Sequence, residues 1–338
     1  MKLLEIKPLE PLSLTLSPIS GIDIFTTTHS TPIPLPTSVA GAIGSSMNIE
    51  LLSNDPVESL IELISRLKEL CGNMDEPIIQ GPLTCFEEQI MDPSKCYAYI
   101  YGNKLISLSF SAFEVRNKMV YLREKCKDHV DCFVNFTPIT MIGVSLQRTK
   151  HGDDKIVRYG YMYRYPLITF RTSSGRVVNP IYLYRFNCRK DLNVINRFGG
   201  ESRVAKFVTI DIEAEFLNNI KTPLKKLERG LYISLSPIPI IPLKDNVLRQ
   251  EPDAVELPVP LSSVVGLPQE KSHPKLRIVR LGLGFSEVVR KKRPEILALP
   301  PGTIIRVEDD VNPPTFEDND LMKELLHIGF ATLYKLSG

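Results

Sequence analysis

Apolar residues spaced every three to four positions predict three short helices in this chain. The first covers residues 39–44, is built from small residues and begins at Thr37 or Ser38 as its N-cap. The second starts at Asp55, carries an apolar stripe over residues 60–70 and ends near Gly72. Residues 320–326 form the third. Most of the remaining chain is therefore left to strands and turns.

Alternating apolar positions predict the strands, and the clearest pair lies in the middle of the chain. Residues 139–147 and 156–170 form the arms of a hairpin whose loop is 148–154. Nine of the twelve tyrosines alternate within strand-like runs, which places each set on one face of one strand. We favour packing of these rings on the protein core, with a base-stacking surface as the alternative. Further strands are predicted at 3–16, 206–212, 231–233, 304–307 and 330–336, and the proline-rich stretch 237–314 is expected to be extended.

The composition is that of a globular protein, with 43% hydrophobic and 24% charged residues among 338. No run of 18 uninterrupted apolar residues occurs, and the N-terminal stretch carries charges and prolines where a signal peptide needs an apolar run. We therefore expect a cytoplasmic protein with no membrane contact. The net charge of +2 means that any nucleic-acid surface must be local. Sparse glutamine and abundant proline favour a thermophile as the source.

The six cysteines are expected to be buried free thiols in a reducing compartment. None of them forms a C-x-x-C pair and the five histidines are scattered, so the sequence lacks the clustered ligands that a structural zinc site needs. We expect neither a metal nor a cofactor.

A first glycine turn combines Gly199 and Gly200 with the flanking Arg197 and Arg203. Paired glycines let a phosphate approach the backbone closely, and arginines neutralise it. A plain turn with solvated arginines is the interpretation that we favour for an isolated Gly-Gly pair.

A second glycine turn lies in segment 271–293, which holds eight Lys or Arg residues and one acidic residue. The third glycine of a dinucleotide-binding motif is missing, and no Walker motif occurs. A flexible turn beside a basic run suits a sugar-phosphate backbone, and a solvated charge run beside a structural turn is the alternative. The candidate RNA-binding residues are Arg280, Gly282, Gly284, Phe285, Arg290, Lys291, Lys292 and Arg293.

Two more places are candidates for RNA contact. The hairpin tip sets cations beside the four-tyrosine run, an arrangement that can stack unpaired bases. The N-terminus of the first helix, if open, can hold an anion. The residues concerned are Arg148, Lys150, His151 and Arg158 at the tip, and Thr37, Ser38 and Gly41 on the helix.

Catalytic motifs are missing from the sequence. It contains no G-x-S-x-G, no H-E-x-x-H and no paired acidic motif of the metal-nuclease kind. His29 is a candidate general base for a ribose 2′-hydroxyl, but a lone histidine is more often an ordinary polar residue. We expect no catalytic residue and a protein that is not an enzyme.

Four short motifs occur in an order that is typical of one family. Residues 34–44 resemble P-x-P-S/T-T-x-x-G-A-x-R but lack its arginine, residues 198–203 and 283–303 carry the glycine-containing turns, and Gly329-Phe330-Ala331 resembles a final Gly-aromatic turn. Together they resemble RAMP superfamily proteins of CRISPR systems. Within that superfamily they look like the subunit of type III-B (Cmr) effector complexes that binds the 5′ handle of the CRISPR RNA.

This resemblance implies an α+β fold of two tandem ferredoxin-like (RRM-related) domains with an inserted β-hairpin thumb. The N-terminal domain would cover residues 1–195 and the C-terminal domain 196–338. Members of the family are non-catalytic subunits that grip the 5′ tag of the CRISPR RNA. They also join the large polymerase/cyclase-domain subunit to the backbone RAMP subunit, and the thumb presses on the guide–target duplex.

Two alternatives stay open. Related RAMP proteins use a similar scaffold as metal-independent endoribonucleases that process CRISPR RNA, and His29 is the candidate base for that activity. The handle-binding subunit of a type III-A complex shares the fold and differs mainly in its partners.

Overall fold

The structure is a computed structural model, and it describes most of the chain with gaps. The described residues are 2–16, 30–72, 74–86, 96–100, 102, 104–108, 113–116, 119–122, 133–148, 155–172, 175–213, 215–242, 255–268, 276–286, 288–316 and 320–336.

The first two thirds of the chain contain two helices and twelve strands among the residues described. In chain order these are β1 (Lys2–Pro8), α1 (Pro36–Ser46), α2 (Glu58–Cys71), β2 (Ile79–Phe86), β3 (Cys96–Ile100), β4 (Lys104–Ser107), β5 (Phe113–Arg116), β6 (Met119–Leu122), β7 (Phe133–Arg148), β8 (Lys155–Thr172), β9 (Val177–Val178), β10 (Pro180–Phe186), β11 (Asn193–Arg197) and β12 (Val204–Asp211).

The last third contains short strands and one helix. These are β13 (Ile220–Lys221), β14 (Gly230–Ser234), β15 (Ile238–Pro242), β16 (Val255–Glu256), β17 (Val264–Gly266), β18 (Val279–Gly282), β19 (Phe285–Ser286), β20 (Lys291–Lys292), β21 (Glu295–Leu299), β22 (Ile304–Val307), α3 (Asp320–His327) and β23 (Leu333–Leu336). Short 3₁₀ turns lie at Glu215–Asn219 and Leu261–Ser263.

The described strands form an antiparallel ten-stranded sheet, a five-stranded sheet, a four-stranded sheet and the two-stranded pairs β5-β6 and β19-β20, with a few helices. The order in the large sheet is β11-β12-β1-β10-β2-β3-β4-β7-β8-β9. The two smaller sheets run β13-β23-β14-β22-β17 and β16-β15-β21-β18. The architecture is therefore α+β and mostly antiparallel.

Two hydrophobic cores cover the two faces of the large sheet. Leu4 and Tyr184 point to the face on which the helices pack. Leu3 and Leu183 point the other way, against Ile233 of the five-stranded sheet. The period-two alternation of the strands thus supplies both cores at once.

Local sequence signals account for the predicted helices and the hairpin. Asp55 Oδ1 accepts hydrogen bonds from the amides of Val57 and Glu58, and Gly72 ends α2 with a positive φ of 70°. The hairpin prediction is confirmed by β7 and β8, which pair from Val134–Thr172 to Arg148–Lys155. The predicted first strand is too long, because β1 ends at Pro8.

Two glycines of the family-like motifs lie where the halves of the chain touch. A Cβ on Gly302 would approach the Tyr99 carbonyl oxygen to 2.9 Å, and one on Gly329 would approach the Ile79 carbonyl oxygen to 2.9 Å. Both have positive φ. These motifs therefore serve close packing between the sheets.

The expectation of free thiols is wrong for four cysteines. Cys71 at the end of α2 is bonded to Cys188, and Cys85 on β2 is bonded to Cys96, its cross-strand neighbour on β3. The Cα–Cα distance is 4.2 Å in each pair. The partners are 117 and 11 positions apart, so the sequence spacing carried no sign of the pairing. Cys126 and Cys132 lie outside the described residues.

No helix in the described part of the chain is long and apolar enough to span a membrane.

Candidate nucleic-acid interface

A connecting segment, residues 9–16, brings the predicted basic regions together. The amide of Ile168, at the base of the hairpin, donates to the Leu12 carbonyl at 2.9 Å. The Gly200 amide donates to the Ser13 carbonyl at 2.9 Å, and the Gly282 amide to that of Leu16 at 2.8 Å. Three regions that are far apart in sequence therefore meet along one extended segment, whose six steps from Glu10 to Leu16 span about 20 Å at most.

In the first glycine turn, the glycines face protein rather than open solvent on one side. A Cβ on Gly199, whose φ is +81°, would lie 2.9 Å from the Ser13 carbonyl oxygen. On Gly200 it would lie 3.3 Å from the Ser13 hydroxyl. Because the glycines have no side chains, the connecting segment can pack closely against them on that side. The sequence analysis had considered a phosphate, and not a protein segment, in this place.

The two arginines of this turn differ. Arg203 forms an ion pair with Glu10 and lies 3.5 Å from the Tyr165 hydroxyl, to which its Nη2 donates. The hydrogen bond to Glu10 raises the pKa of Arg203. Arg197 is exposed and forms no ion pair with a described carboxylate. Arg197 is therefore the open cation of this turn, while Arg203 ties it to the hairpin base.

The second glycine turn lies at the N-terminus of α1. A Cβ on Gly284, whose φ is +94°, would lie 3.8 Å from Thr37 Oγ1 and 3.6 Å from Arg293 Nη1. The turn is closed by the Arg293 amide, which donates to the Gly284 carbonyl at 2.9 Å. Three of the predicted RNA-binding residues thus surround one small space, which we call the anion pocket.

Arg293 is a buried cation without a described counter-ion. It is 9% exposed, and its Nε donates to the Pro56 carbonyl at 3.2 Å. Among the described residues no carboxylate pairs with it, and burial lowers its pKa. A buried charge without a partner is costly, so the site favours an anion from outside the chain.

Thr37 is the second polar group of the anion pocket. Its side chain is 3% exposed, and its hydroxyl has no hydrogen-bond partner within the described ranges. The first turn of α1 has no acidic residue and no side-chain cap, so the positive end of the helix dipole is not offset there. On the outer side, a Cβ on Gly41 would meet no atom within 4 Å, and Ser38 is half-exposed. Helix dipole, hydroxyl and guanidinium all favour the same kind of ligand.

The four consecutive basic residues at 290–293 differ in their exposure to solvent. Arg290, Lys291 and Lys292 are exposed, and Arg293 is buried. Phe285 pairs with Lys292 across β19 and β20 and is 44% exposed. Arg280 is exposed on β18. The small hairpin is anchored on α2, where the Ser286 and Ser59 hydroxyls lie 3.2 Å apart.

Several predicted residues cannot be placed at this interface. Lys150, His151 and His29 lie outside the described residues, and for Arg148 and Arg158 the structure describes the strand alone. Tyr182 and Tyr184 are core residues, since both are almost fully buried. Burial raises the pKa of both hydroxyls.

Sequence reasoning missed Glu10 and Ser13. Both stand in a proline- and leucine-rich stretch with no motif, and their roles depend on contacts with residues nearly 200 positions away. Nothing local marks such residues. No group of three or more metal-ligating side chains occurs among the residues described.

Comparison by sequence finds no matching protein-family model and no matching curated protein. Comparison by structure finds a chain of the type III-B Cmr-beta complex bound to cognate target RNA. It superposes with a TM-score of 0.61 over 99% of this chain and 97% of that one, at 20% identity. The two chains share a fold.

A second Cmr-beta structure, bound to cognate target RNA and AMPPnP, gives a TM-score of 0.56 at 19% identity, covering 99% of this chain and 97% of that one. The Csm3–Csm4 subcomplex of a type III-A interference complex gives 0.41 at 12% identity, covering 100% of both chains. The last score is too low to carry an argument. The fold shared with the two Cmr-beta chains therefore agrees with the expected α+β architecture.

Proposed function

We propose that the chain is a non-catalytic RNA-binding subunit of a type III-B CRISPR interference complex. It grips the 5′ tag of the guide RNA and links the large polymerase/cyclase-domain subunit to the backbone RAMP subunits. The fold shared with a chain of an RNA-bound Cmr-beta structure supports the assignment to this class of complex.

The observation that carries the proposal is the anion pocket. A buried arginine without a described carboxylate and a buried hydroxyl without a partner lie near Gly284, at a helix N-terminus that has no side-chain cap. Each of them binds a phosphate oxygen well, and together they suit a nucleic-acid backbone rather than a base.

The rest of the interface provides a path to this pocket. The first glycine turn, which carries Arg197, contacts the middle of the connecting segment at Ser13, and Gly282 contacts its end at Leu16. Phe285 and the exposed Arg290, Lys291 and Lys292 flank the pocket. An aromatic ring beside cations is suited to stacking an unpaired base.

The strand order supports two tandem ferredoxin-like units. The strands β12, β1, β10 and β2 lie in the order fourth, first, third and second of such a unit, with α1 and α2 between the first and second strands. The strands β23, β14, β22 and β17 repeat this order, with α3 before the fourth strand. We propose that β12 belongs to the first unit as its fourth strand, because it pairs with β1 along its whole length.

We assign the thumb to the ribbon of β7 and β8. Within the described ranges, β4 pairs with β7 as far as Asn135 and β9 pairs with Phe170 and Arg171, so the ribbon extends beyond these pairings. Its exposed side chains include Ile142 and Val144. We propose that this surface contacts the guide–target duplex.

A cytoplasmic location is compatible with the two disulfides if the source is a hyperthermophile. Intracellular proteins of such organisms are often disulfide-rich, whereas those of mesophiles are not. We keep the thermophilic, cytoplasmic origin as part of the proposal.

Affinity purification of the tagged chain from its source, followed by sequencing of the bound RNA, tests the function. We expect guide RNAs that share one 5′ tag. Recovery of no RNA, or of RNA without a common end, would overturn the proposal.

Incubation of the purified chain with repeat RNA tests the non-catalytic role. We expect the RNA to remain intact. Specific cleavage that is lost in His29→Ala would establish the endoribonuclease alternative instead.

A further inference from the structure

Strand β11 forms one edge of the ten-stranded sheet, and its pairing with β12 fixes which backbone groups point outward. The Thr209 amide donates to the Leu192 carbonyl, and the Phe198 amide donates to the Arg203 carbonyl. Even-numbered residues of this stretch therefore bond to β12. In an antiparallel pair, the residues between them direct their N–H and C=O groups away from the neighbouring strand. The residues whose backbone groups lie at the open edge are Asn193, Ile195 and Arg197.

The outward groups of β11 have no strand neighbour within the described ranges. The Arg197 amide donates instead to the side-chain Oδ1 of Asn196 at 2.7 Å, which agrees with its outward direction. The inner face of the strand is held in place, since Val194 packs on the core and Asn196 Nδ2 donates to the Ala42 carbonyl of α1 at 3.1 Å. The open edge is thus a rigid row of donors and acceptors.

This edge lacks the features by which proteins usually prevent edge-to-edge pairing. Such features are lysine or proline on the strand and bulges that twist it away. The sequence of β11, NVINR, contains no lysine or proline, and its register with β12 has no shift. At the centre of the strand, Ile195 is 63% exposed. An apolar side chain at the middle of an open edge favours association with another strand.

The edge is complementary to itself. When a second copy of β11 lies antiparallel and centred on the same residue, Ile195 faces Ile195 of the second copy and Asn193 faces Arg197 of the second copy. Each of these positions is outward, so every opposing pair can exchange two backbone hydrogen bonds. The side chains match as well, because an amide oxygen accepts from a guanidinium. Asp191, whose side chain is 74% exposed, stands diagonal to Arg197 of the second copy.

We propose that β11 is the surface at which a second copy of this chain binds, with a two-fold axis through Ile195 and one continuous sheet across the pair. The charges select this occupant. An unrelated strand could use the backbone groups alone, whereas a second copy also places its own Arg197 beside Asn193 and Asp191. Arg197 is the open cation of the first glycine turn, so the pairing belongs to the chain without bound RNA. The inference does not rest on the proposed function.

Sedimentation equilibrium of the purified full chain without RNA tests the pairing. A small interface gives a weak dimer, so we expect a Kd of roughly 10–200 µM and at least about half of the chains in dimers at about 200 µM. Ile195→Lys should weaken the dimer at least about tenfold, because two like charges then face each other. Ile278→Lys is the matched control, since Ile278 is 53% exposed and lies outside β11, and it should dimerise like the parent. A parent that stays monomeric at about 200 µM, or an Ile195→Lys variant that dimerises as the parent does, would overturn the proposal.

A pair of charge variants tests the register without changing Ile195. Arg197→Glu removes the cation that faces Asn193 and sets a carboxylate near Asp191, and Asn193→Arg sets two guanidinium groups opposite each other. Each variant should be monomeric by itself. An equimolar mixture should restore dimers, because one native pair remains and the other joins the introduced carboxylate to the introduced guanidinium. A mixture that stays monomeric while the parent dimerises would overturn the two-fold pairing, and it would leave the RNA-binding function untouched.

Discussion

The two glycine turns look alike in sequence and differ in what surrounds them. In the first, Arg203 meets Glu10, and Gly199 faces the Ser13 backbone. In the second, Arg293 meets no described carboxylate, and Gly284 faces a threonine hydroxyl. The contrast lies in the counter-ion: Glu10 neutralises Arg203, although the buried Nε of Arg203 has no hydrogen-bond partner among the described residues, whereas no described carboxylate neutralises Arg293.

This difference shows how an arginine beside a glycine acquires its role. Arginine next to an internal carboxylate stabilises the fold, and a further anion gains little from it. Arginine that is buried without a counter-ion binds an external anion strongly, because the cost of burying the charge has already been met in folding. Four sets of substitutions test this contrast, ordered from the largest expected effect to the smallest.

Exchange of each arginine for methionine gives the largest contrast. Arg293→Met should lower the affinity for tagged guide RNA about 10- to 100-fold and change the free energy of unfolding by less than about 1 kcal/mol, since the lost hydrogen bond is offset by relief of the buried charge. Arg203→Met should cost about 1 kcal/mol of stability and leave RNA affinity within about twofold. Filter binding and urea unfolding measure both quantities. Equal losses of RNA affinity in the two variants would show that the two arginines do not differ in their contact with RNA.

Thr37→Val tests the unpartnered hydroxyl. Because valine has nearly the same shape, stability should stay the same or rise slightly, while RNA affinity falls about fivefold. Thr332→Val is the matched control, since that hydroxyl donates to the Gly329 carbonyl at 2.8 Å. The control should lose about 1 kcal/mol and keep its RNA affinity. An RNA affinity for Thr37→Val equal to that of the parent would show that the hydroxyl does not contact the ligand.

Substitution of Gly199 and Gly284 by alanine distinguishes the effect of backbone strain from the effect of filling the anion pocket. Both residues have positive φ, which costs alanine about 1 kcal/mol. We expect Gly199→Ala to be about 1 kcal/mol less stable than Gly284→Ala, because its methyl group meets a backbone oxygen. Gly284→Ala should instead bind RNA a few times more weakly, since its methyl group enters the anion pocket. Thermal unfolding and filter binding distinguish the two, and a reversed order of stabilities would contradict the assignment.

Arg197→Ala is expected to have the smallest effect. Loss of one phosphate contact with single-stranded RNA should flatten the slope of log affinity against log salt by about 0.7. Arg229→Ala, an exposed arginine of the other half, should leave the slope unchanged. A titration at several salt concentrations measures the slope, and equal slopes for Arg197→Ala and the parent would show that Arg197 is only solvated.

The sequence predicted a good part of the fold where signals are local. The α2 helix lies within its predicted bounds because its stripe, its Asp55 and its Gly72 are neighbours in the chain. The β7–β8 hairpin follows from alternation in two adjacent arms. The α1 helix is longer than predicted, since small residues carry a weak periodic signal and Pro36 starts it one turn earlier. Predictions of site residues located the glycine turns but did not distinguish them.

By itself, the sequence determined the approximate places of the three helices and of the β7–β8 hairpin, and which residues are basic or lack a side chain. These features depend on neighbours within a few positions, so periodicity and turn chemistry reveal them. Only the tertiary structure decided that Glu10 neutralises Arg203 across 193 positions, that Cys71 joins Cys188, and that Gly284 lies near both Thr37 and Arg293. Such pairings depend on which strands lie side by side, and no local property of the chain encodes that choice. The anion pocket is therefore a consequence of packing, built from residues whose individual chemistry the sequence already showed.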